Sequence, residues 1–158
     1  MKEHTQLLSC HAAHVRIEIE IDASVEKTWR HMVEDIGKWW RQDFLACEGS
    51  RGMRLEPRLG GLVFEETGDE GSGFAWGHII SFRPPMQLSY IAQIVPPWGG
   101  PAQSVVQIEL KPTGSGRTLL TLSDSIVGHL SDDLLSGLDE GWRQLYGEGG
   151  LKSFVEVN

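Results

Sequence analysis

The chain has 158 residues, 40% of them apolar, and a net charge of −8. Its length and apolar content predict a single domain that buries a core of its own. The acidic balance argues against nucleic acid and anionic membranes as partners, because both select a basic surface. No apolar run reaches the roughly 18 residues of a membrane span. Two cysteines make no disulfide framework, so we expect a cytoplasmic protein.

The N-terminal region predicts a loose segment followed by a strand. We interpret residues 1–13 as a flexible leader and residues 14–158 as one domain. From His14 onward, apolar residues alternate with charged ones through VRIEIEIDA, which is typical of a strand with one buried face. Cys10, His11 and His14 have metal-ligating atoms at close spacing, but a metal would need a further ligand from elsewhere. We therefore predict neither a metal nor a cofactor.

Two short helices are predicted after this strand. Ser24 is a favourable N-cap, and the apolar residues that follow it at helical spacing indicate a buried stripe. A second short helix carries the adjacent Trp39 and Trp40. Neighbouring residues on a helix point about 100° apart. We therefore expect one of the two rings to pack in the core and the other to line a different environment.

The middle of the chain changes to short strands separated by turn residues. Glycine and proline clusters mark the turns, among them Gly60-Gly61, Pro84-Pro85 and the PPWGGP loop at 96–101. Strands joined by short turns form an antiparallel meander. The predicted strands lie near 46–49, 53–57, 61–66, 73–82, 86–95, 103–112 and 117–127.

The last segment, Ser131–Val157, predicts one long helix. Its apolar residues recur at steps of three and four, and Ser131 is a good N-cap. Such a helix would be roughly 39 Å long, enough to cross a small domain. Three glycines inside it, Gly147, Gly149 and Gly150, cost about 1 kcal/mol each against alanine. They indicate a kink or a close approach to another backbone.

The order of elements defines the fold class as α+β, with the sequence β-α-α-β6-α. An antiparallel sheet of about seven strands has one apolar face to cover, and the final helix is the only large element available. A curved sheet wrapped on a long C-terminal helix leaves space between the two. That space is the natural ligand site.

Several motifs resemble a known superfamily. They are IEIDASVEKTWRHMV, KWW, the Gly60-Gly61 hairpin, GHIISFRPPMQLSYIA and GWRQLYGEGGLKSFVE. Together with the element order they resemble the helix-grip fold of the START, polyketide-cyclase and birch-pollen-allergen superfamily. Within it, they look like the branch homologous to the activator of the ninety-kilodalton heat-shock-protein ATPase. The resemblance covers roughly residues 14–156.

The resemblance implies a fold more than a function, because that branch has no shared catalytic motif. Its members often carry a histidine where the last strand ends. This chain has Asp124-Ser125 there, so any role of that histidine cannot be transferred. The named chaperone activators also have a further domain, for which 158 residues leave no room.

Strand alternation and the helix stripe select the residues that would line a space between sheet and helix. The same side chains could instead simply fill the core, since protein interiors are close-packed. We keep both interpretations. The candidate ligand-binding residues are Trp40, Phe64, Trp76, His78, Tyr90, Trp98, Ile108, Leu138, Trp142 and Leu145.

Few of these residues carry polar chemistry, and each has a structural alternative. His78 and Tyr90 would fix the polar end of a ligand, or they are ordinary strand residues with satisfied hydrogen bonds. Trp98, at the tip of a stiff loop, would close a cavity mouth or meet a partner, or it folds back on its own hairpin. Glu65 and Glu66 are adjacent on a strand and point to opposite faces, so they cannot act as a pair. Glu66 is the one expected on the face of the cavity.

Our leading hypothesis is a binding domain for an apolar or amphipathic small molecule, with no catalytic residue assigned. The first alternative is a cyclase-like or aldolase-like enzyme that uses a pocket histidine or tyrosine. The second is a protein–protein module of the chaperone-cofactor kind, acting through surface residues such as Trp98. Exposed strand edges are compatible with a homodimer.

Overall fold

A computed structural model describes residues 5–68 and 70–158. The first four residues of the predicted leader lie outside the described residues. The strands and α-helices of the described part are β1 His11–Ile21, α1 Val25–Glu34, α2 Ile36–Trp39, β2 Met53–Leu55, β3 Leu62–Glu66, β4 Gly73–Arg83, β5 Gln87–Ile94, β6 Ala102–Thr113, β7 Arg117–Gly128, α3 Asp132–Tyr146 and α4 Leu151–Val157.

Seven strands of the described residues form one antiparallel sheet in the order β1-β7-β6-β5-β4-β3-β2. The meander β2 to β7 runs across the sheet in chain order, and β1 closes it beside β7. The predicted α+β class and sheet are confirmed. The first strand begins earlier than expected, because His11 already pairs with Gly128. Residues 11–13 therefore belong to the sheet and not to a leader.

The predicted strand at 46–49 is wrong. The backbone N–H groups of Ala46 and Cys47 are bound by the side chain of Glu65, at 2.7 and 3.1 Å, and not by a neighbouring strand. A ladder cannot form where a carboxylate takes the backbone donors. This segment is a connection held against the sheet.

The first N-terminal helix forms as its capping residue predicts. Ser24 Oγ accepts a hydrogen bond from the backbone N–H of Lys27 at 3.2 Å, which satisfies one free donor of the first turn. Trp39 is buried, and its indole N–H donates to the carbonyl of His31 at 3.1 Å. Trp40 is buried as well and contacts Trp39, with ring centroids 5.5 Å apart, so the two rings are not separated as predicted.

The C-terminal segment is two helices, α3 and α4, and not one. Gly147 to Gly150 interrupt it, and a Cβ at Gly150 would overlap the carbonyl oxygen of Leu145. Backbone so close excludes any side chain at that position. Ser131 caps α3 as predicted, accepting from the N–H of Leu134 at 3.2 Å.

Helix α3 is anchored at its C-terminal end. Of its fifteen residues only Leu145 and Tyr146 are buried, whereas α4 buries Leu151 and Val155 completely. The first three turns of α3 therefore cover a space and do not fill a core.

Substituting alanine at Gly137 is expected to stabilise the fold by about 0.5–1 kcal/mol, since alanine is the better helix former. Gly137 is exposed in α3, and a Cβ there meets nothing within 4 Å. Urea unfolding monitored by circular dichroism measures the change. A loss of stability would contradict the helical environment described for this residue.

Candidate functional site

A cavity of about 350 Å³ lies between α3 and the inner face of the sheet. Its walls come from β3 to β7, from the segment after α2 and from α3, so every layer of the fold contributes. The lining is almost wholly apolar. The lining residues are Trp40, Phe44, Val63, Trp76, Tyr90, Ala92, Gln93, Ile94, Trp98, Ser104, Asp124, Asp133, Leu134, Gly137, Leu138, Gly141, Trp142 and Leu145.

One wall of the cavity is a continuous series of aromatic rings. Trp98 stacks on Trp76, with centroids 5.2 Å apart and planes at 20°. Trp76 in turn meets Trp40 at 6.2 Å. Phe74 packs edge-on against Trp98 at 4.8 Å. Rings in such contact form a rigid apolar surface that offers π faces to a ligand.

Glu65 holds this wall in place. It is 1% exposed, and its carboxylate accepts from the indole N–H of Trp76 at 2.7 Å as well as from two backbone N–H groups. Charge-assisted hydrogen bonds of this kind fix orientation. Glu65 therefore positions Trp76 and ties the segment after α2 to the sheet.

The inner end of the cavity is polar and centres on Asp124 of β7. This residue is 2% exposed. Its Oδ1 accepts from Ser104 Oγ, and its Oδ2 accepts from the indole N–H of Trp142 at 3.0 Å. Burial raises the pKa of Asp124, while the hydrogen bonds from Ser104 and Trp142 and the charge of His14 oppose that rise.

Two buried phenols lie beside this end. Tyr90 lines the cavity, and Tyr146 is buried beside it. Burial raises the pKa of Tyr90 well above its usual value, and the charges of Tyr146 and Asp124 add to the effect. Burial raises the pKa of Tyr146 as well. Both phenols are therefore neutral near pH 7 and serve as hydrogen-bonding groups.

Trp40 belongs to the lining, and its indole N–H is buried. The residue is 7% exposed, and within the described part of the chain this N–H has no hydrogen-bond partner. Buried donors are nearly always paired. Because this N–H is itself inaccessible to solvent, Trp40 offers the cavity its apolar ring and not a donor.

Seven of the ten residues predicted from the sequence line the cavity, and three do not. His78 is exposed on the outer face of the sheet. Phe64 is half-buried outside the lining, whereas its neighbour Val63 faces the cavity. Ile108 is buried in the core at 1% exposure. The seven that line the cavity are Trp40, Trp76, Tyr90, Trp98, Leu138, Trp142 and Leu145.

Two irregularities in β4 explain why His78 lies outside. The pairing with β3 passes from Val63–Gly77 directly to Phe64–Ala75, so Trp76 is an extra residue in β4. The pairing with β5 skips Ile80 in the same way. A bulge reverses the alternation of side chains beyond it. Trp76 therefore faces inward together with Gly77 and Ile79, and His78 faces solvent.

The inward carboxylates were not selected from the sequence as site residues. Glu66 was expected on the cavity face, but Glu65 is the buried one, because β3 turns Val63 and Glu65 inward. Asp124 was noted only as a departure from the family histidine. Asp124 lies on β7 opposite the inward residues Val15 and Val106. That position is the feature that could have indicated its burial.

None of the helices in the described ranges is long and apolar enough to span a membrane. In the same residues, no three His, Cys, Asp or Glu side chains come together as a metal site. His14 instead makes a hydrogen bond between its Nδ1 and Ser125 Oγ at 2.9 Å.

A curved antiparallel sheet covered by a C-terminal helix over an internal cavity defines a helix-grip domain. The sequence model of the family described as Activator of Hsp90 ATPase homolog 1-like protein matches residues 22–156. The chain belongs to this family, as the motifs predicted. No curated protein matches it.

Solved structures similar to this chain share the fold. An uncharacterized protein from Rhizobium leguminosarum has a TM-score of 0.72 at 20% identity, covering 97% of this chain and 100% of that one. Ara h 8.0201 has a TM-score of 0.67 at 10% identity, with 94% and 100% covered. The anthrahydroquino-gamma-pyrone synthase Txn09 has a TM-score of 0.50 at 26% identity, with 70% and 75% covered.

Proposed function

We propose that the cavity binds an apolar or amphipathic small molecule, with its ring system against the tryptophans and its polar end at Asp124. The observation that carries this proposal is the pairing of an aromatic-lined space with one buried hydrogen-bonding end. A cavity of about 350 Å³ falls within the size range of small-molecule sites. Apolar walls supply affinity, and the few polar groups supply orientation.

The aromatic wall favours flat ligands. Stacked and edge-on rings leave faces and edges that match another planar ring system. Trp76 is held by Glu65, and Trp98 by its contacts with Trp76 and Phe74. A wall fixed before the ligand arrives loses little side-chain entropy on binding.

Binding of the neutral dye Nile red tests the proposal. Ala92 lines the cavity, so Ala92→Phe fills part of it and is expected to weaken binding by about tenfold or more. Ala75→Phe is the matched control, because Ala75 is exposed on neighbouring β4 outside the lining and its substitution should leave affinity unchanged. Fluorescence titration gives the dissociation constants, and thermal melts show that both variants fold. Absence of saturable binding by the wild type, or equal affinity of Ala92→Phe, would overturn the proposal.

An acid–base enzyme is a second candidate, favoured by one observation. The carboxyl of Asp124 and the phenols of Tyr90 and Tyr146 form a buried cluster next to the cavity. Neutral donors in an apolar site are able to polarise a ligand carbonyl. The name of the synthase Txn09 agrees with such a role on this fold. A ligand recovered unchanged after prolonged incubation would exclude turnover of that ligand.

A further inference from the structure

The charges of the cavity lining are all of one sign. Two carboxyl groups, those of Asp124 and Asp133, belong to the lining, and no lysine, arginine or histidine of the described residues does. The segment after α2 carries a cation, Arg41. Its guanidinium lies 5.6 Å from the ring centroid of the lining residue Phe44. It is bound by Asp43 at 2.7 and 2.9 Å and is not part of the lining. An anionic ligand would therefore find no counter-charge in the cavity.

Asp124 retains the capacity to accept more hydrogen bonds. Each of its oxygens accepts one bond, from Ser104 and from Trp142, and an ionised carboxylate offers about four acceptor positions. Burial raises the pKa of Asp124, so its charge is poorly compensated by the protein alone. A cation beside it would supply the missing compensation.

The aromatic wall favours the same sign of charge. Trp40, Trp76, Trp98 and Trp142 all line the cavity, and the face of an indole ring attracts a cation more strongly than do the faces of tyrosine and phenylalanine. A carboxylate at one end of an aromatic-lined cavity offers an ammonium group a counter-charge as well as ring faces.

We propose that the cavity selects amphiphiles with a protonated amine, the ammonium group lying at the Asp124 end and the apolar body against the tryptophans. This inference rests on the proposed function and adds the charge class of the ligand. The acid at the inner end and the indole faces act together. Neither feature would attract a carboxylic acid of the same shape.

Three naphthalene probes of matched shape test the charge class: 1-naphthylmethylamine, 1-naphthylmethanol and 1-naphthoate. Each displaces bound Nile red from the wild-type protein at pH 8, where the amine is protonated and the acid ionised. The amine is expected to displace the dye at a concentration at least about tenfold below that of the alcohol, with the carboxylate weakest. An alcohol or carboxylate that competes as well as the amine would overturn the inference while leaving Nile red binding, and so the proposed function, intact.

Two isosteric variants assign the preference to a residue. Asp124→Asn is expected to abolish the advantage of the amine over the alcohol, and Asp133→Asn is expected to keep it. The reverse pattern would refute the role of Asp124. The wild-type series shows by itself whether the cavity prefers the amine. If Asp124→Asn fails to fold, Asp133→Asn still tells which of the two carboxylates is responsible. Absence of Nile red binding to the wild type would remove both proposals.

Discussion

Glu65→Leu is expected to lower the free energy of unfolding by about 3–5 kcal/mol. The substitution leaves three N–H groups without their acceptor, those of Ala46, Cys47 and the indole of Trp76. Each buried donor that loses its partner costs about 1–3 kcal/mol. At half-buried positions water takes the place of the lost acceptor and reduces this cost. Urea unfolding gives the free energy, and the combined emission of the six tryptophans should shift as the Trp76 ring loses its anchor.

The adjacent glutamate on the same strand is the control. Glu66 points to the other face, and its carboxylate pairs with Arg54 at 3.2 Å where both side chains are partly exposed. Exposed ion pairs contribute at most about 1 kcal/mol, so Glu66→Leu should change stability by no more than that. Equal losses for the two variants would show that Glu65 does not hold the wall as described.

Gly77→Ala is expected to cost about 3 kcal/mol or more. A Cβ at this position would overlap the carbonyl oxygen of Ile91 on β5. The overlap involves backbone on both sides, so no flexible side chain is able to move aside. The strand pair β4–β5 must therefore separate, and with it the bulge that turns Trp76 inward. Denaturant unfolding measures the loss, and weaker Nile red binding should accompany it.

Gly114→Ala provides the comparison for that variant. Gly114 lies in the turn between β6 and β7, and a Cβ there meets nothing within 4 Å. Its substitution should alter stability by less than about 0.5 kcal/mol. A similar effect of both substitutions would contradict the close approach of Gly77 to β5.

Features determined by local chemistry were predictable from the sequence. Both serine caps, Ser24 and Ser131, act as expected because capping depends only on the next three residues. The alternation of the first strand buries Ile17 and Ile21 as predicted. The glycines near residue 147 do mark a break, although it is complete enough to separate two helices.

The faces of β3 and β4 were not predictable in the same way. Alternation assigns one face to Trp76, His78 and Ile80, but the extra residues at Trp76 and Ile80 change the phase twice. A bulge is a property of the strand pair, since it depends on which residue of the neighbour finds a partner. The pattern of one strand alone therefore cannot locate it.

The polar parts of the site depend on contacts between distant residues. Asp124 is paired with Ser104 and Trp142, which lie 20 and 18 positions away in the chain. Glu65 is paired with Trp76 across a turn, 11 positions away. Charged residues are rarely buried unless they are paired, so hydrophobicity alone places both carboxylates at the surface. Only the folded arrangement shows the partners that permit their burial.

The glycine break after Tyr146 divides the C-terminal segment into two parts of unequal local stability. The part that includes Leu151 and Val155 is packed in the core, while the first three turns of α3 lie over the cavity and bury none of their residues. Segments with few buried contacts open at a free energy far below that of global unfolding. Separation of these turns from the sheet would therefore leave the packed residues of α4 in place, and it would widen the way into the cavity without unfolding of the domain.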